Sequence, residues 1–325
     1  YSVNYIDSEI DIDGKDSESQ WKKAPKTPDF IDIANNKKPL QKTYMKMLWD
    51  DENLYIYARL YEEHIWGDIT KRDAVIFKNN DFEVFLKPSI IHTNYGELEI
   101  NALGTVWDLL LNKPYRLGGK ANTKWNIDNL KSDVYISGTI NDSSDKDYYW
   151  STEISIPLNE ILEINGPDYK KVKSGDIWRA NFSRVQWEHD ISDGKYSRKK
   201  ENNKLKREYN WVWSRQGQIN MHIPENWGFI YFNDKNEINT DFDLKIDIKT
   251  EQYGYALFEK IKYKELKYLN DKTIDVRIQF NSNSLKNNNI SAEFIKTKDG
   301  FLIKCKNQID DFIYTINQEG IIKYE

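Results

Sequence analysis

The sequence predicts a mainly β protein: an antiparallel β-sandwich followed by a small C-terminal α+β domain. Three observations carry this. Alternation of apolar and polar residues with period 2 dominates residues 1–232. Turn-rich stretches such as NDSSDKD and KSGD punctuate the alternating runs. Beyond Phe232 the pattern becomes one helical stripe and then shorter alternating runs.

Taken in order, LYIYARLY sets Leu54, Ile56, Ala58 and Leu60 on one face and Tyr55, Tyr57, Arg59 and Tyr61 on the other. DFEVFL opposes Phe82, Val84 and Leu86 to Asp81 and Glu83. YGELEINALG opposes Leu98, Ile100 and Ala102 to Glu97, Glu99 and Asn101. VYISGTI, WSTEISIP and IWRANFS repeat the pattern, with Glu153 and then Arg179, Asn181 and Ser183 on the polar side. Glu, Asn and Arg at inner strand positions form a ladder on one sheet face. It is either a solvated surface with cross-strand ion pairs or a hydrogen-bonding floor for a polar ligand.

Asn233–Asp243 reads as a linker. Residues 244–325 form the second domain, one helix laid on an antiparallel meander. Tyr253, Leu257, Ile261, Glu265 and Leu269 mark the helix, with Thr250 as its cap. IDVRIQF, ISAEFIKT, FLIKCK, DFIYTIN and IIKY are its strands, with turns at KDG and QEG.

Composition excludes several functions. The 325 residues include 11 Trp, 21 Tyr and 13 Phe, too aromatic for a disordered chain despite a mean hydropathy of −0.79. A net charge of −5 argues against a nucleic-acid partner. No run approaches the ~18 apolar residues of a membrane span. The chain begins at Tyr1, which reads as a chain trimmed of a signal or lipoprotein segment. Cys305 is the single cysteine, and its place in FLIKC reads as a buried apolar position.

Motifs for familiar catalysis are missing: no GxSxG, GxxxxGK[ST] or HExxH occurs. His64, His92, His189 and His222 lack metal-ligand spacing. DIDGKD (Asp11–Asp16) resembles a calcium loop but lacks its closing glutamate, so it reads as a polar turn. Paired carboxylates are plentiful, Asp81 with Glu83, Glu97 with Glu99, and Asp108. Positions two apart on a strand lie roughly 6.5–7 Å apart, inside the ~5–9.5 Å range of glycosidase carboxylates.

Aromatic residues beside polar ones are the stronger signal, because a sugar offers a C–H face to an aromatic ring and hydroxyls at its edge. Candidate platforms are Trp66 in HIWGD, Trp107 in TVWDLL, Tyr115 in KPYR, Trp187 in RVQWEHD, and Trp211 with Trp213. For each indole the competing reading is core packing. Trp21, Trp49, Trp150, Trp178 and Trp227 are assigned to packing. HDISDGKYSRKKENNKLKREYN, with seven basic and four acidic residues, reads as a mobile solvated loop, with a lid or an acidic-polysaccharide contact as the alternatives.

DGKDSESQWKKAP, MLWDDENLYIYARLYEEHIW, NNDFEVFLKP, YGELEINALGTVWDLLLNKPYR, WSTEISIP, GDIWRANFSRVQW and NWVWSRQGQINMHIPENWG occur in the order of a known pattern. Over residues 4–232 the chain resembles bacterial proteins with a family 9 carbohydrate-binding module-like domain. The resemblance implies a jelly-roll-like β-sandwich, sugar ends held between two tryptophans with help from charged and amide side chains, and structural calcium. It also implies a secreted, periplasmic or lipid-anchored location at the surface of a polysaccharide-degrading bacterium. Trp66 matches one sandwiching tryptophan, and Trp211 or Trp213 the other. The chain departs from the pattern at ELEINALG, where Glu97 and Glu99 stand in place of the arginine that sugar-binding modules carry.

The leading expectation is a non-catalytic carbohydrate-binding protein, with oligo- or polysaccharide as partner. Trp66, Trp107, Trp187 and Trp213 would stack on the sugar. Glu99, Asn101, Asp108 and Arg184 would bond its hydroxyls, with Tyr115 and Trp211 beside them. A second reading is a glycoside hydrolase using Glu97 or Glu99 with Asp108. A third is an assembly module with no sugar ligand.

Overall fold

The computed structural model describes residues 1–34, 37–88, 93–166, 169–235, 247–264, 275–278, 290–297, 300–307 and 313–324. The chain divides into two compact units: Tyr1–Pro88, Asn94–Leu111 and Ala121–Asp241 form the first, and Ser89–Thr93, Asn112–Lys120 and Phe242–Glu325 the second. The second unit thus includes two stretches from within the sandwich sequence. The linker expected at 233–243 lies, from residue 236 onward, outside the described residues.

The first unit begins with β1 (Ser2–Tyr5), β2 (Ile31–Asp32), β3 (Thr43–Trp49), β4 (Asn53–Tyr61), β5 (Asp81–Lys87), β6 (Tyr95–Asn101), β7 (Val106–Leu111) and β8 (Ala121–Asn122). It continues with β9 (Lys131–Ser137), β10 (Tyr149–Pro157), a short helix α1 (Leu158–Leu162) and β11 (Ile177–Gln186). Four short strands follow, β12 (His189–Ser192), β13 (Lys195–Arg198), β14 (Lys200–Glu201) and β15 (Lys204–Leu205), then β16 (Tyr209–Val212) and β17 (Gly228–Phe232).

Two sheets face one another. One runs β8-β7-β6-β5-β11-β17, with β16 and β2 added beside β11; the other runs β3-β4-β10-β9. β1 joins them, pairing parallel with β17 through Val3↔Phe232 and parallel with β3 through Asn4↔Leu48. These two pairings are parallel, so the sandwich is mixed rather than purely antiparallel. Alternation places Phe82, Val84, Leu98, Ile100 and Phe182 from one sheet against Met45, Met47, Ile56, Leu60, Trp150 and Ile154 from the other. Each such side chain contributes roughly 1.5–3 kcal/mol by leaving water.

Both outer faces are covered as well. Tyr44, Leu48, Tyr55 and Tyr57 pack beneath Ile6, Ile10, Trp21 and Ala24 of the N-terminal segment. Phe85, Tyr95, Leu109 and Val212 pack beneath Ile33, Met221 and Trp227. Consequently every residue of β5 and β6 is buried, on both faces. The polar ladder read from the sequence is therefore neither a solvated surface nor an open floor.

In the second unit α2 (Ile248–Glu259) buries Tyr253, Leu257 and Phe258. Its cap is Asp247 rather than Thr250: the Asp247 carboxylate accepts the N–H groups of Lys249 and Thr250. Glu265 and Leu269 of the expected stripe lie outside the described residues. The meander is β18 (Asp275–Ile278), β19 (Ile290–Thr297), β20 (Gly300–Asn307), β21 (Ile313–Asn317) and β22 (Ile322–Tyr324), each antiparallel to the next. Cys305 is fully buried in this core, where burial pushes its thiol up to about 12. Among the described residues no helix is long and apolar enough to cross a membrane.

Candidate functional site

β5 and β6 set four carboxylates on the covered outer face of their sheet. Glu83 lies directly opposite Glu99, Asp81 opposite Asn101, and Glu97 opposite Phe85. Their residues are 0–6% exposed. Burial, reinforced by neighbouring like charge, raises Asp81, Glu97 and Glu99 well above the usual carboxylate range; burial lifts Glu83 to about 7. One N–H group reaches each of two of them: Val185 donates to Asp81 Oδ1 at 3.3 Å and Phe77 to Glu99 Oε2 at 2.9 Å. Asp81 Oδ2, Glu83 Oε2 and Glu97 Oε2 accept no hydrogen bond. The resemblance to calcium-binding modules can be tested here: orphaned carboxylate oxygens in an all-oxygen set suit calcium, not a soft metal.

Other expected site residues prove structural. Asn101 holds the turn that follows it, accepting from the N–H groups of Leu103 and Thr105 and donating to Ile69 O. Asp108 shares the face of its partner Leu98, which belongs to the central core, and so lies on the opposite side of the sheet from Glu97 and Glu99. There it takes two bonds from Arg72 Nη2, at 2.8 and 3.0 Å, and one from the Ile127 N–H. The carboxylate pair of the hydrolase reading therefore cannot flank one glycosidic bond. Arg184 also points inward and is fully buried. It pairs with Glu62 at 3.1 Å and donates to Thr43 Oγ1 and Tyr61 O, while Trp150 Nε1 donates to Glu62.

The tryptophans part company. Trp211 is fully buried, stacked on Tyr209 and bonded through Nε1 to Gln186. Trp213 is half-buried against the same core, its ring lying over Gly228, where a Cβ would come within 2.4 Å of it. Neither is a partner for Trp66. Trp107 is half-buried among the residues that cover the acidic face. Tyr115 belongs to the second unit and is 47% exposed.

Trp66 and Trp187 meet at one end of the sandwich, together with Val185 and Tyr196. Tyr196 is carried by the stretch expected to be a mobile loop, which instead forms two hairpins, β12–β13 and β14–β15. Asp193 and Gly194 in the first turn, and Asn202 and Asn203 in the second, all take positive φ, the geometry of tight hairpin turns. The Tyr196 ring lies nearly parallel to Trp66, with centroids 6.1 Å apart and planes at 11°. Its hydroxyl donates to Asp142 O and bonds His64 Nδ1. The Arg198 guanidinium lies over the Trp187 ring at 4.8 Å. His64 and His189, 125 residues apart in sequence, come within 5.0 Å as rings.

Beside the Trp66–Tyr196 pair opens a cavity of about 340 Å³, lined further by Asp68, Lys78, Asn79, Ser197, Arg198 and Lys200. Asn79 fixes its rim: Oδ1 accepts from the N–H groups of Asp68 and Ile69, and Nδ2 donates to Asp68. Trp66 and Trp187 are themselves buried, at 3% and 7% exposure, so neither presents an open face, and of the two only Trp66 lines the cavity. Lys78, Arg198 and Lys200 have no acidic partner among the described residues, and only Asp68 opposes them. A second polar group gathers under the N-terminal segment, where Asp13 and Glu18 approach Glu153.

Comparison with known proteins gives the fold a context. No family model and no curated protein matches the chain. Among solved structures, a candidate carbohydrate-binding protein from Bacteroides uniformis has a TM-score of 0.52 at 13% identity, over 72% of this chain and 98% of its own. A family 9 carbohydrate-binding module from Caldicellulosiruptor kristjanssonii, solved with glucose, has a TM-score of 0.47 at 15% identity, over 74% of this chain and 98% of its own. The cellotriose complex of a family 9 module from that organism gives 0.47 at 14%, over 75% and 98%. The Bacteroides protein and this chain share the sandwich fold.

Proposed function

We propose that this chain is a non-catalytic carbohydrate-binding protein acting outside the cell or at the cell surface, in recognition or breakdown of polysaccharide. Residues 1–232 carry the recognition. The observation behind this reading is the cavity beside Trp66 and Tyr196, which joins aromatic rings to charged and hydroxyl groups in a space near the lower end of ligand-pocket volumes, ~300 Å³. The shared fold of the Bacteroides protein supports it. Three cations against one carboxylate favour an acidic saccharide, such as a uronate oligomer, over a neutral one.

A glycan array followed by calorimetry tests the proposal. The expected result is binding to uronate or sulfated oligosaccharides that weakens with salt, and a loss of about tenfold in Arg198→Ala, whose fold circular dichroism shows intact. Folded protein that binds no acidic or neutral glycan would overturn the proposal. Binding confined to neutral oligosaccharides, unaffected by Arg198→Ala, would overturn the assignment of the ligand as acidic.

A further inference from the structure

We propose that Asp81, Glu83 and Glu99 form a calcium site between β5 and β6. One carboxylate oxygen from each lies within 4.8 Å of the others. Calcium binds oxygen at about 2.3–2.6 Å, so oxygens on opposite sides of one ion are up to about 5 Å apart. A single ion among them can therefore reach one oxygen of each.

Charge makes the stronger case. No Lys or Arg pairs with Asp81, Glu83, Glu97 or Glu99 among the described residues, although all four are at least nine-tenths buried. Buried carboxylates ordinarily have a cation, a full set of donors, or a metal. Here two N–H groups serve Asp81 and Glu99, while Asp81 Oδ2 and Glu83 Oε2 are left without a donor. Glu97, outside the set of three, adds an independent sign. It stands one position along the same face, is 6% exposed, and its Oε2 also lacks a partner.

The donors are all carboxylate oxygens in a closed interior. Magnesium retains several waters and is held by one or two carboxylates, whereas calcium accepts a cage made of protein oxygens. In the second acidic group, Asp13, Glu18 and Glu153, two of the three carboxylates are satisfied from within, and only Glu18 Oε2 lacks a donor. Lys15 pairs with Asp13 at 2.8 Å, and Glu153 accepts from Trp21 Nε1 and from the N–H groups of Asp13 and Gly14. It serves as the internal control.

The whole chain is stripped with chelator, then calcium uptake is counted by native mass spectrometry and Tm is followed against calcium. One bound ion is expected, with a Tm rise of about 5–10 °C at calcium a hundredfold above its Kd. Glu99→Gln and Asp81→Asn should each lose that rise, and Asp13→Asn should keep it. A wild-type chain that takes up no calcium and shows no rise would overturn the site. So would loss of the response in Asp13→Asn with retention in Glu99→Gln, and so would a response to magnesium alone. If one variant fails to fold, the other gives the same reading, and the stoichiometry requires neither. Saccharide affinity is measured separately, so failure of the carbohydrate proposal leaves this result intact.

Discussion

Glu153, in the middle of β10, is a carboxylate with three donors that still titrates high. Burial lifts it to about 7, against the lowering pull of Trp21 Nε1 and the N–H groups of Asp13 and Gly14. Because the folded form holds this proton more tightly than the unfolded one, its contribution to stability is complete below about pH 4.5. It is lost as pH rises through about 7. Glu153→Gln should flatten that fall by on the order of 1–2 kcal/mol, allowing for solvent screening, in urea unfolding at pH 5 and pH 8. At this scale the sequence was partly legible. Trp211 and Trp213, two apart, had to share a face, and both pack on the core. The same arithmetic places Arg184 with Trp178, Ala180 and Phe182, yet its polarity suggested a ligand-facing role. Its partner Glu62, on another strand's end, left no local trace.

Among the elements, the hairpins β12–β13 and β14–β15 were written in Asp193-Gly194 and Asn202-Asn203, dipeptides suited to positive φ, beneath a charge density that suggested a loop. The strands of the sandwich were legible because alternation is a local property. What covers their outer faces was not, since Trp21 and Trp227 reach those faces from distant segments. The N-terminal cover offers a direct test. Gly14 has φ +81°, and a Cβ there would lie 2.5 Å from Tyr135 N and 2.7 Å from Val134 C, both backbone atoms of β9. Gly14→Ala should lift the Asp11–Asp16 turn from the sheet and cost about 2–4 kcal/mol in urea unfolding. Because the same turn buries Glu153, whose high titration comes first from burial, lifting it should also flatten the pH response described above.

At the scale of the whole sandwich, β1 is the seam. Val3 is fully buried where the two sheets meet, and its strand pairs with both. Val3→Asp should place an unpaired carboxylate there and cost more than about 4 kcal/mol, read as loss of the cooperative near-ultraviolet transition. The seam also imposes a schedule on synthesis. Asn4 meets Leu48 early, but Val3 must wait for Phe232, which leaves the ribosome after nearly all of the first unit. Until then β1 and β11 each present an open edge, and the cover that carries Met221 and Trp227 is not anchored at its C-terminal end. A nascent chain of this kind has high contact order and long-lived exposed strands. Closure comes late and in one step, so truncation anywhere before β17 should yield an open, aggregation-prone half-sandwich rather than a smaller stable one.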